Sequence, residues 1–157
     1  MTIQGFDFGD LDELYREVIL DHYRNPRNRH KVEAPDFESE GFNPFCGDEV
    51  KLQVKLDDEC RVVEVGQQGQ GCSISQASAS MMVGLAKGKT LQEIIKLSSS
   101  FRAMMQGTLG VEEMKDLRAL EALQGVRNFP IRIKCALLAW VALEDGIQDY
   151  RARFKIS

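Results

Sequence analysis

The sequence lacks an apolar run long enough to cross a membrane. Its longest uninterrupted apolar stretch is CALLAWVAL, Cys135–Leu143, whereas a membrane-spanning helix needs about 20 apolar residues. The first residues, MTIQGFDFGDLDELY, are acidic and contain no apolar signal core, so we expect no secretion signal. We therefore predict a cytoplasmic protein with no membrane partner.

An excess of basic residues, which nucleic-acid-binding domains usually carry, is also missing. The chain has 24 acidic and 20 basic side chains and a net charge of −4, so we expect no nucleic-acid partner. Its 157 residues, 43% of them hydrophobic, suffice for one domain with a substantial core. Because we find no internal repeat, low-complexity tract or linker, we predict a single domain over residues 1–157.

The signatures of several common zinc and nucleotide sites are absent as well. There is no H-E-x-x-H of metalloproteases, no H-x-E with P-C-x-x-C of deaminases, and no phosphate-binding loop. The four cysteines, Cys46, Cys60, Cys72 and Cys135, are too widely spaced for a paired zinc knuckle. A reducing cytosol also disfavours structural disulfides. Spacing alone leaves three interpretations: buried small side chains, redox thiols, or metal ligands from separate segments.

Hydrophobic periodicity predicts several helices. Helical spacing relates the apolar residues Leu11, Leu14, Tyr15, Val18 and Ile19, which should form one buried stripe. Asp10 is the expected N-cap of this helix, which should end before Pro26. The other predicted helical segments are, in chain order, residues 73–87, a helix capped by Thr90 and Glu93, an apolar stripe of Met114, Leu117 and Leu120 within 111–123, and a last helix from Pro130.

Strands are predicted between the first helix and the second. Residues 50–56 and 61–68 alternate apolar and polar side chains and are separated by a short turn, which is typical of an antiparallel hairpin. A further edge strand is expected around Phe37. The order of helix, small sheet and then helices predicts an α+β fold.

Three cysteines fall at the ends of predicted elements. Cys46 precedes a strand, Cys72 lies at a strand-to-helix junction, and Cys135 lies near the start of the last helix. Asp48 is two residues beyond Cys46, so in an extended stretch both side chains would leave the same face. Gly47 between them allows the backbone to curl around an ion. Side chains from distant segments can converge at such positions.

The surroundings of these cysteines favour thiolates. Cys72 is placed where a helix dipole stabilises negative charge, and Lys134 and Arg132 are cations next to Cys135. Three thiolates and one carboxylate form a four-ligand set that suits zinc, and a thiolate-rich site also suits an iron–sulfur cluster. Cys60 follows DDE in the hairpin turn, has no neighbouring ligands, and is interpreted as a bystander.

The motifs resemble those of the U-type iron–sulfur cluster assembly family (IscU, SufU and the NifU N-terminal domain) over nearly the whole chain. ILDHYRNPRN, Ile19–Asn28, is similar to the family's N-terminal signature. Three segments are similar to its metal-site motifs: CGD at Cys46–Asp48, GQGCSISQASAS at Gly69–Ser80, and KC at Lys134–Cys135. The resemblance implies a small antiparallel three-stranded sheet packed by about five to six helices, in agreement with the predicted elements.

Three departures distinguish the chain from the IscU-type scaffold branch. That branch has a histidine directly before its third cysteine and an LPPVK chaperone-recognition segment, whereas this chain has Lys134 and reads NFPIRIKC. The stretch between Cys72 and Cys135 is also longer. All three departures resemble the SufU-type branch, which binds zinc and accepts sulfur from a SufS-type cysteine desulfurase.

Carried onto this sequence, the resemblance implies that Cys46, Asp48, Cys72 and Cys135 bind Zn2+. It implies that Cys46 accepts the sulfur, with Cys135 as the alternative, and that Arg132 contacts the partner. The expected function is a zinc-bound sulfur relay that works with the desulfurase, rather than a stand-alone enzyme, and supplies downstream iron–sulfur assembly or apo-proteins. The alternatives are a scaffold carrying a [2Fe–2S] cluster and a purely structural zinc site.

Overall fold

A computed structural model describes residues 13–154 and two short N-terminal strands, Thr2–Ile3 (β1) and Phe6–Asp7 (β2), which pair antiparallel. The α-helices are Glu13–Arg24 (α1), Ser73–Ala86 (α2), Leu91–Gln106 (α3), Val111–Met114 (α4) and Pro130–Phe154 (α5). The remaining strands are Phe37–Asn43 (β3), Asp48–Leu56 (β4) and Val62–Gln70 (β5), and a 3-10 segment, Lys115–Asn128, connects α4 with α5. The predicted α+β class is confirmed.

β3, β4 and β5 form an antiparallel sheet in that order. The predicted hairpin and edge strand are therefore confirmed, although β4 begins at Asp48 and β5 continues to Gln70. Asn43 at the end of β3 is paired with Asp48 at the start of β4, and Glu49 is paired with Gln70. Hence the end of β3, the start of β4 and the end of β5 meet at one edge of the sheet, directly before α2.

The core lies between the sheet and the helices. α5 packs across β3 and β4, α2 packs on β5 and α5, and α1 packs on α2. The inner face of the sheet buries Leu52 and Val54, each fully inaccessible to solvent. Trp140 of α5 is also fully buried, with its ring centroid 5.4 Å from that of Phe101. This packing fixes α5 and the start of α2 against the same edge of the sheet.

The segment after α3 differs from a regular α-helix. α4 ends at Met114, the chain continues as a 3-10 helix, and Arg118 interrupts it with φ +50°. Leu117 and Leu120 are nevertheless fully buried, as the apolar stripe predicts. The stripe repeats every three residues, which matches the 3.0 residues per turn of a 3-10 helix. The spacing of three residues therefore identified the buried face, and the structure shows that most of this segment is a 3-10 helix.

Other predicted boundaries are confirmed. α1 ends at Arg24, ahead of Pro26, and α5 begins at Pro130. Asp10 and Leu11 lie outside the described residues, and Leu14 is 69% exposed, so the expectation that it joins the buried stripe of α1 is wrong. Among residues 13–154, no helix combines the length and the apolar content that crossing a membrane requires.

The predicted capping box begins α3. The Thr90 hydroxyl oxygen accepts the Glu93 N–H at 3.1 Å, and the Glu93 carboxylate accepts the Thr90 N–H at 3.0 Å. Two of the N–H groups that a helix start leaves unpaired are thereby satisfied.

Replacing Thr90 with alanine should lower the free energy of unfolding by about 1 kcal/mol, because the cap is lost. Urea denaturation followed by circular dichroism measures this change. Thr90→Ser keeps a hydroxyl and should unfold close to wild type. Equal stabilities of Thr90→Ala and wild type would contradict the prediction.

Candidate metal centre

Side chains from three segments converge at the sheet edge. Cys46 comes from the turn between β3 and β4, Asp48 is the first residue of β4, and Cys135 lies in the second turn of α5. One potential ligand atom of each lies within 4.8 Å of the other two. Of the described residues, Cys72 is outside this mutually close group but adjoins it. It is the N-cap of α2, and its backbone N–H donates to Asp48 Oδ1 at 2.8 Å.

A glycine lets Cys46 and Asp48 approach the same point. The chain between β3 and β4 is a turn rather than an extended stretch, so an extended backbone is the wrong expectation for Cys46. Gly47 adopts φ +66°, a left-handed conformation that favours glycine. The backbone therefore curls between the two side chains, which is the alternative that the glycine suggested.

The carboxylate of Asp48 is fully buried and accepts three hydrogen bonds. Oδ1 accepts the Cys72 N–H at 2.8 Å and the Ser75 hydroxyl at 3.1 Å, and Oδ2 accepts Nδ2 of Asn43 at 3.2 Å. Gly71 makes room for it, since a Cβ at Gly71 would lie 2.4 Å from Asp48 Oδ1. A buried charge requires such compensation, because its transfer from water costs free energy.

The sulfur atoms lie close together as free thiols. Cys135 Sγ is 3.1 Å from Cys46 Sγ. Arg132 places Nη1 3.1 Å from Cys46 Sγ and 3.9 Å from Cys135 Sγ. The guanidinium therefore stabilises negative charge on these sulfurs. Lys134 instead places its ammonium 5.1 Å from the ring centroid of Phe45.

The buried thiols differ in acidity. A hydrogen bond with Cys135, together with that of the Ser75 N–H, lowers the pKa of Cys72 to about 6 against the effects of burial and of Asp48. Donating that hydrogen bond, together with burial, raises the pKa of Cys135. The two pKa shifts have opposite directions, so Cys72 is the more acidic thiol of the pair.

The sulfurs differ in accessibility as well. Asp48 and Cys135 are fully buried, whereas Cys46 is half-buried and lies beside exposed apolar side chains. Phe45 is 74% exposed and Ile131 is 61% exposed. An open hollow next to them is lined by Phe42, Phe45, Lys134, Leu137, Leu138 and Val141. The centre thus opens to solvent through Cys46, within an apolar surface.

The donor atoms fit a metal ion. Two cysteine sulfurs and a carboxylate oxygen are ligands that zinc accepts. Zinc usually takes four ligands, and Cys72 is the thiol that adjoins the other three residues. Cys60 lies in the turn between β4 and β5 with φ +59°, outside this group. Sequence reasoning missed Asn43 and Ser75, because their contacts with Asp48 depend on strand pairing and on the packing of α2. The position of Ser75, three residues after Cys72, was the one signal in the sequence.

Comparison with known proteins places the chain in a family. Residues 14–157 match the model of the NifU-like N terminal domain. The Zinc-dependent sulfurtransferase SufU of Bacillus subtilis (strain 168) is 49% identical over 138 residues, covering 88% of this chain and 92% of the relative. The iron–sulfur cluster assembly scaffold protein IscU of Streptococcus pyogenes serotype M1 is 38% identical, covering 88% and 85%.

A solved structure supports the same assignment. A candidate iron–sulfur cluster assembly scaffold protein for the SUF system, from Fervidobacterium islandicum AW-1, superposes with a TM-score of 0.77 at 31% identity, covering 90% of this chain and 99% of that one. The resemblance drawn from the sequence motifs is therefore confirmed. The chain belongs to the NifU-like N terminal domain family, the U-type iron–sulfur cluster assembly proteins.

Proposed function

We propose that the protein is a zinc-bound sulfur acceptor in iron–sulfur cluster assembly. It takes persulfide sulfur from a SufS-type cysteine desulfurase in the cytoplasm and passes it to downstream assembly or apo-proteins. The observation that carries the proposal is the half-buried Cys46 thiol at the mouth of a cluster whose other members are buried. A relative named a zinc-dependent sulfurtransferase, 49% identical, supports it, and the free thiols suit a reducing compartment.

Cys46, Asp48, Cys72 and Cys135 are the proposed ligands. Zinc, when bound, keeps coordinated thiols deprotonated near neutral pH. The chain contributes the buried carboxylate, the hydrogen bond of the Ser75 N–H to Cys72, and the Arg132 guanidinium at 3.1 Å from Cys46 Sγ. These groups hold negative charge at the sulfurs, which is the state that both ligation and nucleophilic attack require.

The transfer is a displacement between sulfur atoms. The Cys46 thiolate attacks the terminal sulfur of the desulfurase persulfide, a new S–S bond forms at Cys46, the old S–S bond breaks, and the desulfurase cysteine leaves as a thiolate. No external oxidant is needed, because the sulfur moves at its existing oxidation level. Cys135, the alternative acceptor, is fully buried, so an approaching partner reaches Cys46 first.

The exposed apolar surface around Cys46 is the proposed docking face for the desulfurase. Phe45, Ile131 and Phe42 are each more than 60% exposed next to the centre, and large exposed apolar side chains grouped together are typical of protein interfaces. Arg132 and Lys134 add positive charge to this face, which favours carboxylates on the partner.

A scaffold for a [2Fe–2S] cluster is the second candidate, since the 38% identical relative is named a scaffold. The two functions differ in observable products. A scaffold yields a stable iron–sulfur chromophore on reconstitution and hands it to an apo-protein, whereas a relay does not. A purely structural zinc would affect neither desulfurase turnover nor cluster transfer, and it would not require an accessible Cys46.

The purified protein should be colourless, contain about one zinc per chain, and accelerate alanine release by a SufS-type desulfurase. Elemental analysis and an alanine assay with and without the protein measure this. Removing zinc with a chelator should abolish the acceleration, and adding zinc back should restore it. A stable chromophore transferred to an apo-protein, without acceleration, would instead favour the scaffold.

Replacing Cys46 with alanine should reduce desulfurase turnover to its rate without the protein, because the acceptor thiol is gone. The fold should persist, since Cys46 lies in a surface turn. Cys60→Ala is the matched control and should stimulate like wild type. Full stimulation by Cys46→Ala would contradict the assignment and make Cys135 the acceptor.

Replacing Phe45 or Ile131 with serine should weaken the complex with the desulfurase by more than about 1 kcal/mol, roughly a fivefold rise in Kd. Isothermal titration calorimetry measures the affinity. Val111→Ser is the control, because Val111 is 77% exposed but lies on α4. Identical affinities for all three variants would remove this face as the docking surface.

A further inference from the structure

Asn43, the last residue of β3, is a buried amide beside the metal centre. The residue is only 5% exposed. Burying an amide costs free energy unless its donors and acceptor are paired. The partners that Asn43 finds there all belong to segments that carry the proposed ligands.

One amide group connects three of these segments. Nδ2 donates to Asp48 Oδ2 at 3.2 Å and lies 3.6 Å from Cys135 Sγ. Oδ1 accepts the backbone N–H of Phe45 at 3.2 Å, in the turn that presents Cys46. The orientation of the amide follows from its partners, because only the carbonyl oxygen accepts an N–H and only the NH2 group donates to a carboxylate.

The hydrogen bonds that Asp48 accepts leave one lone pair of its carboxylate free for a metal ion. Each carboxylate oxygen has about two lone-pair sites. Among the described residues, Oδ1 already accepts both the Cys72 N–H and the Ser75 hydroxyl, whereas Oδ2 accepts a hydrogen bond from Asn43 alone. The free lone pair is therefore on Oδ2, and the donor that orients this oxygen is Asn43.

We propose that Asn43 is a positioning residue of the metal centre. It orients Asp48 so that Oδ2 would be available to a metal ion, donates to the Cys135 sulfur, and fixes the turn of Cys46 through Phe45. The inference rests on the proposed function only in that Asp48 and Cys135 are taken as metal ligands. Groups that orient metal ligands in this way typically contribute 10–100-fold to metal affinity.

Two substitutions separate orientation from filling of space. Asn43→Asp retains the shape but replaces the donor with a carboxylate that faces Asp48, and Asn43→Ala removes the group. Both should raise the Kd for zinc about 10–100-fold. Ser39→Ala is the matched control. Ser39 lies on the same strand and faces α5 at Gly146, and its buried hydroxyl has no hydrogen-bond partner among the described residues. It should bind zinc like wild type.

The test uses the full chain and zinc competition against a chromophoric chelator. In parallel, cobalt(II) is substituted for zinc, because its absorption bands report ligand identity and geometry, and urea unfolding of the metal-free proteins reports stability. We expect weaker zinc binding and an altered cobalt spectrum for both Asn43 variants, and wild-type behaviour for Ser39→Ala.

Zinc affinities of the Asn43 variants within about twofold of wild type would overturn the inference while leaving the proposed function intact. Weaker binding with an unchanged cobalt spectrum and lowered stability would also overturn it, since that pattern indicates a merely structural role. A wild-type chain that binds no zinc would overturn the proposed cofactor and this inference together.

Discussion

The buried carboxylate of Asp48 is the interaction on which the centre depends. A negative charge with no solvent access is tolerated because three donors from β3 and α2 meet it, namely Asn43, the Cys72 N–H and Ser75. Those donors are available only where the end of β3, the start of β4 and the start of α2 coincide. The sheet register and the packing of α2 therefore determine the geometry around a single side chain, and the sulfurs assemble beside it.

The centre has a buried side and an accessible side, and the two serve different requirements. Cys72 and Cys135 are buried, and their pKa values shift in opposite directions. Cys46 is half-buried next to the Arg132 guanidinium, and exposed apolar side chains surround it. A sulfur relay requires such an arrangement, because its nucleophile must be accessible to one partner and otherwise protected from oxidation.

Patterns of local physical origin predicted most of the fold. The sequence predicted the capping box at Thr90, the hairpin and the start of α5 at Pro130, because each of these features depends on residues a few positions apart. The 3-10 segment was not, since tertiary packing selects the helix type. The four proposed ligands were found through motifs and element ends. Asn43 and Ser75 were missed because their roles arise only when strand pairing brings distant segments together.

The tight space at Gly71 has a consequence for tolerated sequence change. A side chain there would occupy the volume of the Asp48 carboxylate, whose Oδ1 would be 2.4 Å from the added carbon. A single methyl group at this position would therefore displace the carboxylate while every cysteine and acid stays in the sequence. The geometry around Asp48 thus depends on a residue that supplies no ligand atom, and a comparison of related sequences that counts only cysteines and acids would overlook it.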